Sequence, residues 1–180
     1  TSIAATQNVQ AVDRVAPTMA ITDNTAGTAT GAVMYTFISS EVSTSFSVSD
    51  ITVVGGTASG VFASNDGTVY TLLVTPDANS TASMTVDVAG AVFTDAAGND
   101  NTVAPQNVQA VDTVAPTIAV TDNTAGTATG AVTYTFNLSE ASTTFAPADI
   151  TVVGGTKAST FATGISGDSI YTLVITPTAN

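Results

Sequence analysis

Residues 23–37 read DNTAGTATGAVMYTF, and residues 122–136 read DNTAGTATGAVTYTF. The two stretches begin 122 − 23 = 99 residues apart and differ only where Thr133 replaces Met34. Each ends in alternating apolar and polar residues, as a half-buried strand does, and the one position that varies is predicted to face solvent. A period near 99 residues is too long for a solenoid unit and suits one small all-β domain. The sequence therefore predicts the same β domain twice.

Other words repeat with the same spacing. QNVQAVD occupies residues 7–13 and again 106–112, and DITVVGGT occupies residues 50–57 and 149–156. Each QNVQAVD leads into a linker that ends in Ala-Pro, where proline stiffens the chain and blocks further strand pairing.

Short alternating segments separated by turn-forming residues predict seven strands in the first repeat. These are A near 18–22, B near 32–38, C near 50–54, D near 60–63, E near 68–75, F near 83–94 and G near 103–110. Seven such strands in about 100 residues favour an immunoglobulin-like β-sandwich. The predicted fold class is thus all-β, with tandem immunoglobulin-like domains of which the second is incomplete within this chain.

The repeat frame is out of step with the ends of the chain. It gives a strand G of a preceding repeat, or a donor strand, at residues 1–12, a first repeat at 13–111 and a second at 112–180. The last residues match positions 75–79, so the second repeat is predicted to contain strands A–E only. Two explanations stay open: the chain is a window of a longer array, which we favour, or a neighbouring chain completes the sandwich by strand donation.

Composition excludes several function classes. Fourteen acidic residues face two basic ones, Arg14 and Lys157, for a net charge of −12, so nucleic acid is not an expected partner. Cysteine and histidine are absent, which argues against disulfides, a cysteine nucleophile and most enzyme chemistry, and leaves oxygen as the ligand type of any metal site. No apolar run approaches the roughly 18 residues of a spanning helix, so membrane insertion is not expected. The chain is not expected to be an enzyme.

The acidic residues fall mainly in loops at the two ends of the predicted domains. Because strand direction alternates, the linker and the BC, DE and FG loops meet at one end of the domain. The AB and EF loops, with Asp23, lie at the other end and face the next linker with Asp112 and Glu140. The carboxylates gathered at each end would repel one another without a counterion. Calcium accepts six to eight oxygen ligands, so the sequence predicts calcium there. The candidate ligands are Asp13, Asp23, Glu41, Asp95, Asn99, Asp112, Asp122 and Glu140. Asp50, Asp149 and Asp66 are instead predicted to be turn residues.

The linker VDTVAPT, the BC-loop SE, the strand start ADITVVGGT, the segment YTLVITPTAN and the loop FTDAAGN together resemble the bacterial Ig-like tandem domains of very large secreted adhesins and biofilm-associated proteins. The resemblance implies extracellular, end-to-end domains stiffened by calcium at their junctions. It places ligands at the linker aspartates, the SE glutamates and the TDAAGN loop. The second repeat has no TDAAGN loop in this chain, and Arg14 replaces the usual small residue after the linker aspartate.

The leading hypothesis is a structural extender, or stalk, of a bacterial surface or secreted protein, whose partners are neighbouring repeats of the same or adjacent chains. One alternative is a self-assembling extracellular filament or sheath subunit, a homopolymer completed by strand donation between chains. Another is a glycan-binding module, which the absence of tryptophan and an aromatic content of 6% disfavour.

Overall fold

The computed structural model describes residues 9–64 and 66–179 and divides into two compact units, Thr1–Val114 and Ala115–Asn180. Each unit is built from antiparallel strands. The helical elements in the described residues are two short 3-10 turns, Val48–Asp50 and Pro147–Asp149. No described helix is long and apolar enough to cross a membrane.

The described residues of the first unit form seven strands, as the sequence predicts. They are β1 (Met19–Asp23), β2 (Val33–Ser39), β3 (Ile51–Val54), β4 (Gly56–Ser64), β5 (Val69–Pro76), β6 (Met84–Val88) and β7 (Asn107–Gln109). They form one sheet in the order β1-β2-β5-β4 and a second in the order β3-β6-β7, with every pairing antiparallel. With the strands lettered A to G along the chain, these are the ABED and CFG sheets of an immunoglobulin sandwich. The predicted fold class is confirmed.

The core of this unit lies between the two sheets. Residues of β2, β5 and β6 alternate between buried and partly exposed positions, as the sequence pattern requires. Phe46, in the loop after β2, lies at the centre of an aromatic cluster, with its ring 4.9 Å from those of Tyr70 and Phe93. Side chains from both sheets thus join one apolar cluster, which holds the sandwich together.

Two predicted strands are shorter than the sequence pattern indicates. Strand F was expected to run to position 94, but β6 ends at Val88, and Ala91 in the following turn has a φ of 57°. Phe93 is nevertheless buried, so its apolar character reflects loop packing rather than strand pairing. Strand G likewise narrows to β7 because the preceding residues hydrogen-bond as a loop to Val88 and Pro17.

The second unit contains a single sheet. Its strands are β8 (Ile118–Asp122), β9 (Val132–Ser142), β10 (Gly155–Lys157) and β11 (Asp168–Pro177), in the order β10-β11-β9-β8. These correspond to D, E, B and A. The prediction of a strand C here is wrong: residues 150–153 are not a strand, and Val153 is 95% exposed. In the first unit strand C pairs only with strand F, and the residues described in the second unit include no strand F for it to pair with.

Part of the strand predicted at residues 1–12 lies outside the described residues, which begin at 9. Residues 9–12 are not in a strand, and Val9 and Val12 are 83% and 71% exposed.

Candidate metal site

Three of the predicted ligands come together at one end of the first unit. Asp13 of the linker, Glu41 of the loop after β2 and Asp95 of the loop between β6 and β7 each place a carboxylate oxygen within 4.8 Å of the others. They range from exposed (Asp13) through half-buried (Glu41) to 7% exposed (Asp95). Residues 28 and 54 positions apart in sequence meet because alternate loops of the sandwich return to the same end.

The linker is tied to the loop that carries Glu41. Ser40 Oγ accepts a hydrogen bond from the Thr18 amide at 2.9 Å, and the Ser40 amide donates to the Thr18 carbonyl at 2.9 Å. This reciprocal pair fixes the chain just after the linker beside the residue that precedes Glu41. Ser139 and Thr117 make the same pair in the second unit. The recurrence of threonine and serine at these two positions is the signal that the sequence carried for this contact.

Asp95 is held by the turn that follows it. Its Oδ1 accepts hydrogen bonds from the amides of Ala97 and Asn99, both at 2.8 Å, and its Oδ2 accepts one from Asn99 Nδ2 at 2.8 Å. Gly98 has a φ of 91°, a conformation that favours glycine and that closes the turn. These hydrogen bonds therefore fix the orientation of the Asp95 carboxylate.

The buried side chain of Asn101 holds the same loop in place. The sequence did not predict this role. Asn101 Oδ1 accepts hydrogen bonds from the amides of Val92 (2.8 Å) and Phe93 (3.0 Å). Its Nδ2 donates to the carbonyls of Ala89 (2.7 Å) and Thr102 (2.8 Å). The Asn101 side chain thus makes hydrogen bonds with backbone groups that a longer β6 would have paired with a neighbouring strand.

A buried serine joins the two loops that carry Glu41 and Asp95. Ser43 Oγ donates to the Thr94 carbonyl at 2.7 Å, and the Thr94 amide donates to Ser45 Oγ at 2.9 Å. Tyr70 supports the first loop, with its hydroxyl 2.7 Å from the Ser43 carbonyl. The loops that carry Glu41 and Asp95 are therefore joined to each other by hydrogen bonds of Ser43 and Ser45.

The carboxyl groups of this site differ in their affinity for protons. Burial, followed by the negative charges of Asp13 and Asp95, raises the pKa of Glu41 above its ordinary 4.5. The hydrogen bond from the Asn99 side chain, together with those from the loop amides, lowers the pKa of Asp95. A proton therefore binds to Glu41 in preference to Asp95, because it relieves the repulsion from the neighbouring carboxylates.

The donor set fits a hard divalent cation. Two oxygens on opposite sides of a calcium ion lie about 4.6–5.2 Å apart, given metal–oxygen distances of about 2.3–2.6 Å. The three carboxylates are within that spacing. Asn99 Nδ2 donates to Asp95 Oδ2 at 2.8 Å, which places this predicted ligand beside Asp95. The absence of cysteine and histidine makes these ligands suited to calcium or magnesium rather than zinc.

Comparison with family models gives two successive matches to the family described as bacterial Ig-like domain, at residues 13–111 and 112–180. The chain belongs to the bacterial Ig-like domain family. Searches of curated proteins and of solved structures each found no match. Membership of this family indicates a structural module of surface proteins, and the family is typically non-enzymatic.

Other predicted ligands of this bacterial Ig-like chain act as turn residues. Asp23, Asp112 and Asp122 each accept a hydrogen bond through Oδ1 from the backbone amide two residues further on, at 2.8–3.1 Å. Aspartate side chains in turns commonly accept this hydrogen bond. Asp23 also accepts a hydrogen bond at 3.1 Å from Asn107 Nδ2 on β7. The three do not belong to the cluster formed by Asp13, Glu41 and Asp95.

The SE glutamate of the second unit has a different setting. Glu140 lies within β9, whereas Glu41 follows the end of β2. Residues 112–180 include no counterpart of the loop that carries Asp95. The described part of the second unit therefore gives Glu140 no carboxylate from such a loop.

The acids predicted to form turns do so. Asp50 Oδ2 accepts a hydrogen bond from the Ser47 amide at 2.8 Å, and Asp149 does the same for Ala146 at 2.9 Å. Asp66 Oδ1 accepts hydrogen bonds from two successive amides, which lowers the pKa of Asp66.

Proposed function

We propose that this chain is an extender segment of a bacterial extracellular adhesin or surface fibre, and that calcium bound at Asp13, Glu41, Asp95 and Asn99 stiffens it. The observation that carries the proposal is the meeting of a linker carboxylate with two carboxylates from loops of the following domain. The remainder of the chain consists of one β-sandwich and a second copy of the same domain repeat, which suits a spacer.

A shared ion would restrict the linker. Asp13 is exposed and is held by local contacts, including the hydrogen bond that its Oδ1 accepts from the Val15 amide at 3.0 Å. Glu41 and Asp95 belong to loops fixed by Ser40, Ser43 and Asn101. A cation that binds all three carboxylates favours the arrangement in which the linker lies against the domain and shifts the population toward it.

The setting of the site is compatible with calcium outside the cell. Extracellular calcium modules bind the ion at about 10⁻⁴–10⁻³ M, an affinity that partly exposed ligands can reach. The proposed location is therefore the cell surface or the secreted state, and the partners are neighbouring repeats of the same or an adjacent chain. Exposed large apolar residues of the described chain include no aromatic side chain, which gives the glycan-binding alternative no stacking platform.

A distance measurement tests the stiffening. The chain has no cysteine, so Val9→Cys and Thr57→Cys can carry a pair of spin labels at two exposed positions, one before the linker and one on β4. We expect the distance distribution to narrow when calcium is added and to broaden again in chelator.

Two further variants make the result specific. Asp95→Asn removes a carboxylate from the group and should abolish the narrowing. Asp77→Asn makes the same change at an exposed loop position outside the group and should leave it intact. Equal distributions with calcium and with chelator in the parent protein would refute the proposal.

A further inference from the structure

Strand β2 and its counterpart β9 carry the same residues toward the core but different residues on the outer face of the sheet. The outward-facing residues are Met34, Thr36 and Ile38 in β2, and Thr133, Thr135 and Asn137 in β9. The first unit therefore presents two apolar side chains at positions where the second unit presents polar ones. Ile38 is 45% exposed, so this apolar surface is open to a partner.

The apolar side chains of β2 continue onto β5. The cross-strand pairs on the outer face join Met34 to Leu73, Thr36 to Thr71 and Ile38 to Val69. Directly opposed side chains have Cβ atoms about 4.5–5.5 Å apart, so the four apolar side chains form one patch around a pair of threonines. Because β2 and β5 are the two inner strands of the order β1-β2-β5-β4, this patch lies at the centre of the sheet.

The same face carries no charge. The sequences of β1, β2, β4 and β5 contain one charged residue, Asp23. Asp23 is turned inward, where it accepts a hydrogen bond from Asn107 of the other sheet. The net charge of −12 therefore resides on other parts of the chain. Two copies that approach each other through this face avoid the like-charge repulsion that opposes contact elsewhere.

We propose that two copies of this chain pair through the outer face of the sheet β1-β2-β5-β4 in the first unit. The apolar patch of one copy packs against the same patch of the other. Because both copies use the same surface, the contact is isologous and closes as a dimer. A centre that is rich in apolar side chains, includes methionine and lacks charge has the composition of a protein–protein interface.

The size of the face sets the strength of this contact. The four strands lie about 4.8 Å apart and rise about 3.3 Å per residue, so the face covers about 300–400 Å². A standard stable interface buries about 800 Å² on each partner. We therefore expect a weak, reversible dimer that forms at high protein concentration. Added salt should strengthen it, because salt screens the repulsion between two negatively charged chains.

Sedimentation of the parent chain in chelator, at concentrations up to about 1 mM, tests the proposal. The average mass should rise with concentration toward that of a dimer. The double variant Met34→Thr with Ile38→Asn should weaken the association by about tenfold or more, because it removes apolar surface from the contact. Both new residues already occupy the equivalent positions of β9, so the first unit should still fold.

A matched control removes exposed apolar surface from the other sheet. Val54 on β3 and Val108 on β7 are each 59% exposed on the outer face of the sheet β3-β6-β7. Val54→Thr with Val108→Thr should leave the association unchanged. A parent chain that stays monomeric at every concentration would overturn the proposal. Equal weakening by the two double variants would also overturn it, because the patch on β2 and β5 would then have no special role.

Chemical crosslinking locates the contact. The chain has no cysteine, so Thr36→Cys places a single thiol at the centre of the proposed interface. A short bismaleimide should then give covalent dimers, whereas Thr135→Cys, at the equivalent position of β9, should give far fewer. Equal yields from the two variants, or no dimer from Thr36→Cys, would contradict pairing through this face. The chelator keeps both measurements independent of the proposed calcium site.

Discussion

Substitution of Asn101 by alanine should destabilise the first unit more than any other single loss of a polar side chain in its loops. The side chain makes four hydrogen bonds to the backbone of the loop between β6 and β7. Phe93 is buried, so its amide would lose its partner without access to water, at a cost of about 1–3 kcal/mol. The other three backbone groups belong to exposed residues, and each should cost about 0.5–1 kcal/mol. The expected loss is about 2.5–6 kcal/mol.

Urea unfolding followed by circular dichroism measures this loss. For a unit of this size, 3 kcal/mol lowers the melting temperature by about 12 °C or more. Asn137→Ala is a matched control because Asn137 is exposed on β9, and it should change stability by less than about 0.5 kcal/mol. A loss below about 1 kcal/mol for Asn101→Ala would refute the reasoning, because it would mean that water or loop rearrangement replaces the four bonds.

Three further substitutions test the core, a buried hydroxyl and the acidic group. Phe46→Ala should cost about 3–5 kcal/mol in urea unfolding, since it leaves a cavity at the centre of the aromatic cluster. Tyr70→Phe should cost about 1–3 kcal/mol, because the buried carbonyl of Ser43 loses its donor, and an unchanged midpoint would contradict that contact. For Glu41, whose pKa is raised in the folded state, protonation stabilises the fold below pH 4.5 and this contribution is lost as pH rises through the raised pKa. In chelator, the melting temperature of the parent chain should therefore fall relative to Glu41→Gln as pH rises from 4 to 7, and parallel curves would contradict the electrostatic account.

The sequence was sufficient for the sandwich because its strands carry a period of two. The alternation around Tyr35 and Tyr70 predicts β2 and β5, and the repeat of both patterns in the second unit predicts β9 and β11. The prediction of strand C in the second unit was wrong although the segment DITVVGGT is identical in both repeats. The same segment forms a strand only where a neighbouring strand is available to pair with it. Residues 51–54 have β6 beside them, and residues 150–153 have no such strand. Local pattern gives strand propensity, and pairing decides whether the strand forms.

For the cluster of Asp13, Glu41 and Asp95, the sequence was sufficient to predict which loops meet. Alternation of strand direction places Asp13, Glu41 and Asp95 at one end without any knowledge of side-chain geometry, and the structure brings them together. The supporting residues were not predictable. Asn101 follows Asp100 in a loop rich in polar residues, and nothing in its type or spacing distinguishes a buried anchor from a solvated turn residue.

Calcium titration of the whole chain by calorimetry tests the central claim most directly. The claim predicts one saturable site with a dissociation constant of about 0.1–1 mM, lost in Asp95→Asn and retained in Asp77→Asn. Absence of binding in the parent chain, or equal binding by the parent and Asp95→Asn, would contradict the claim that the linker and the two loops share an ion.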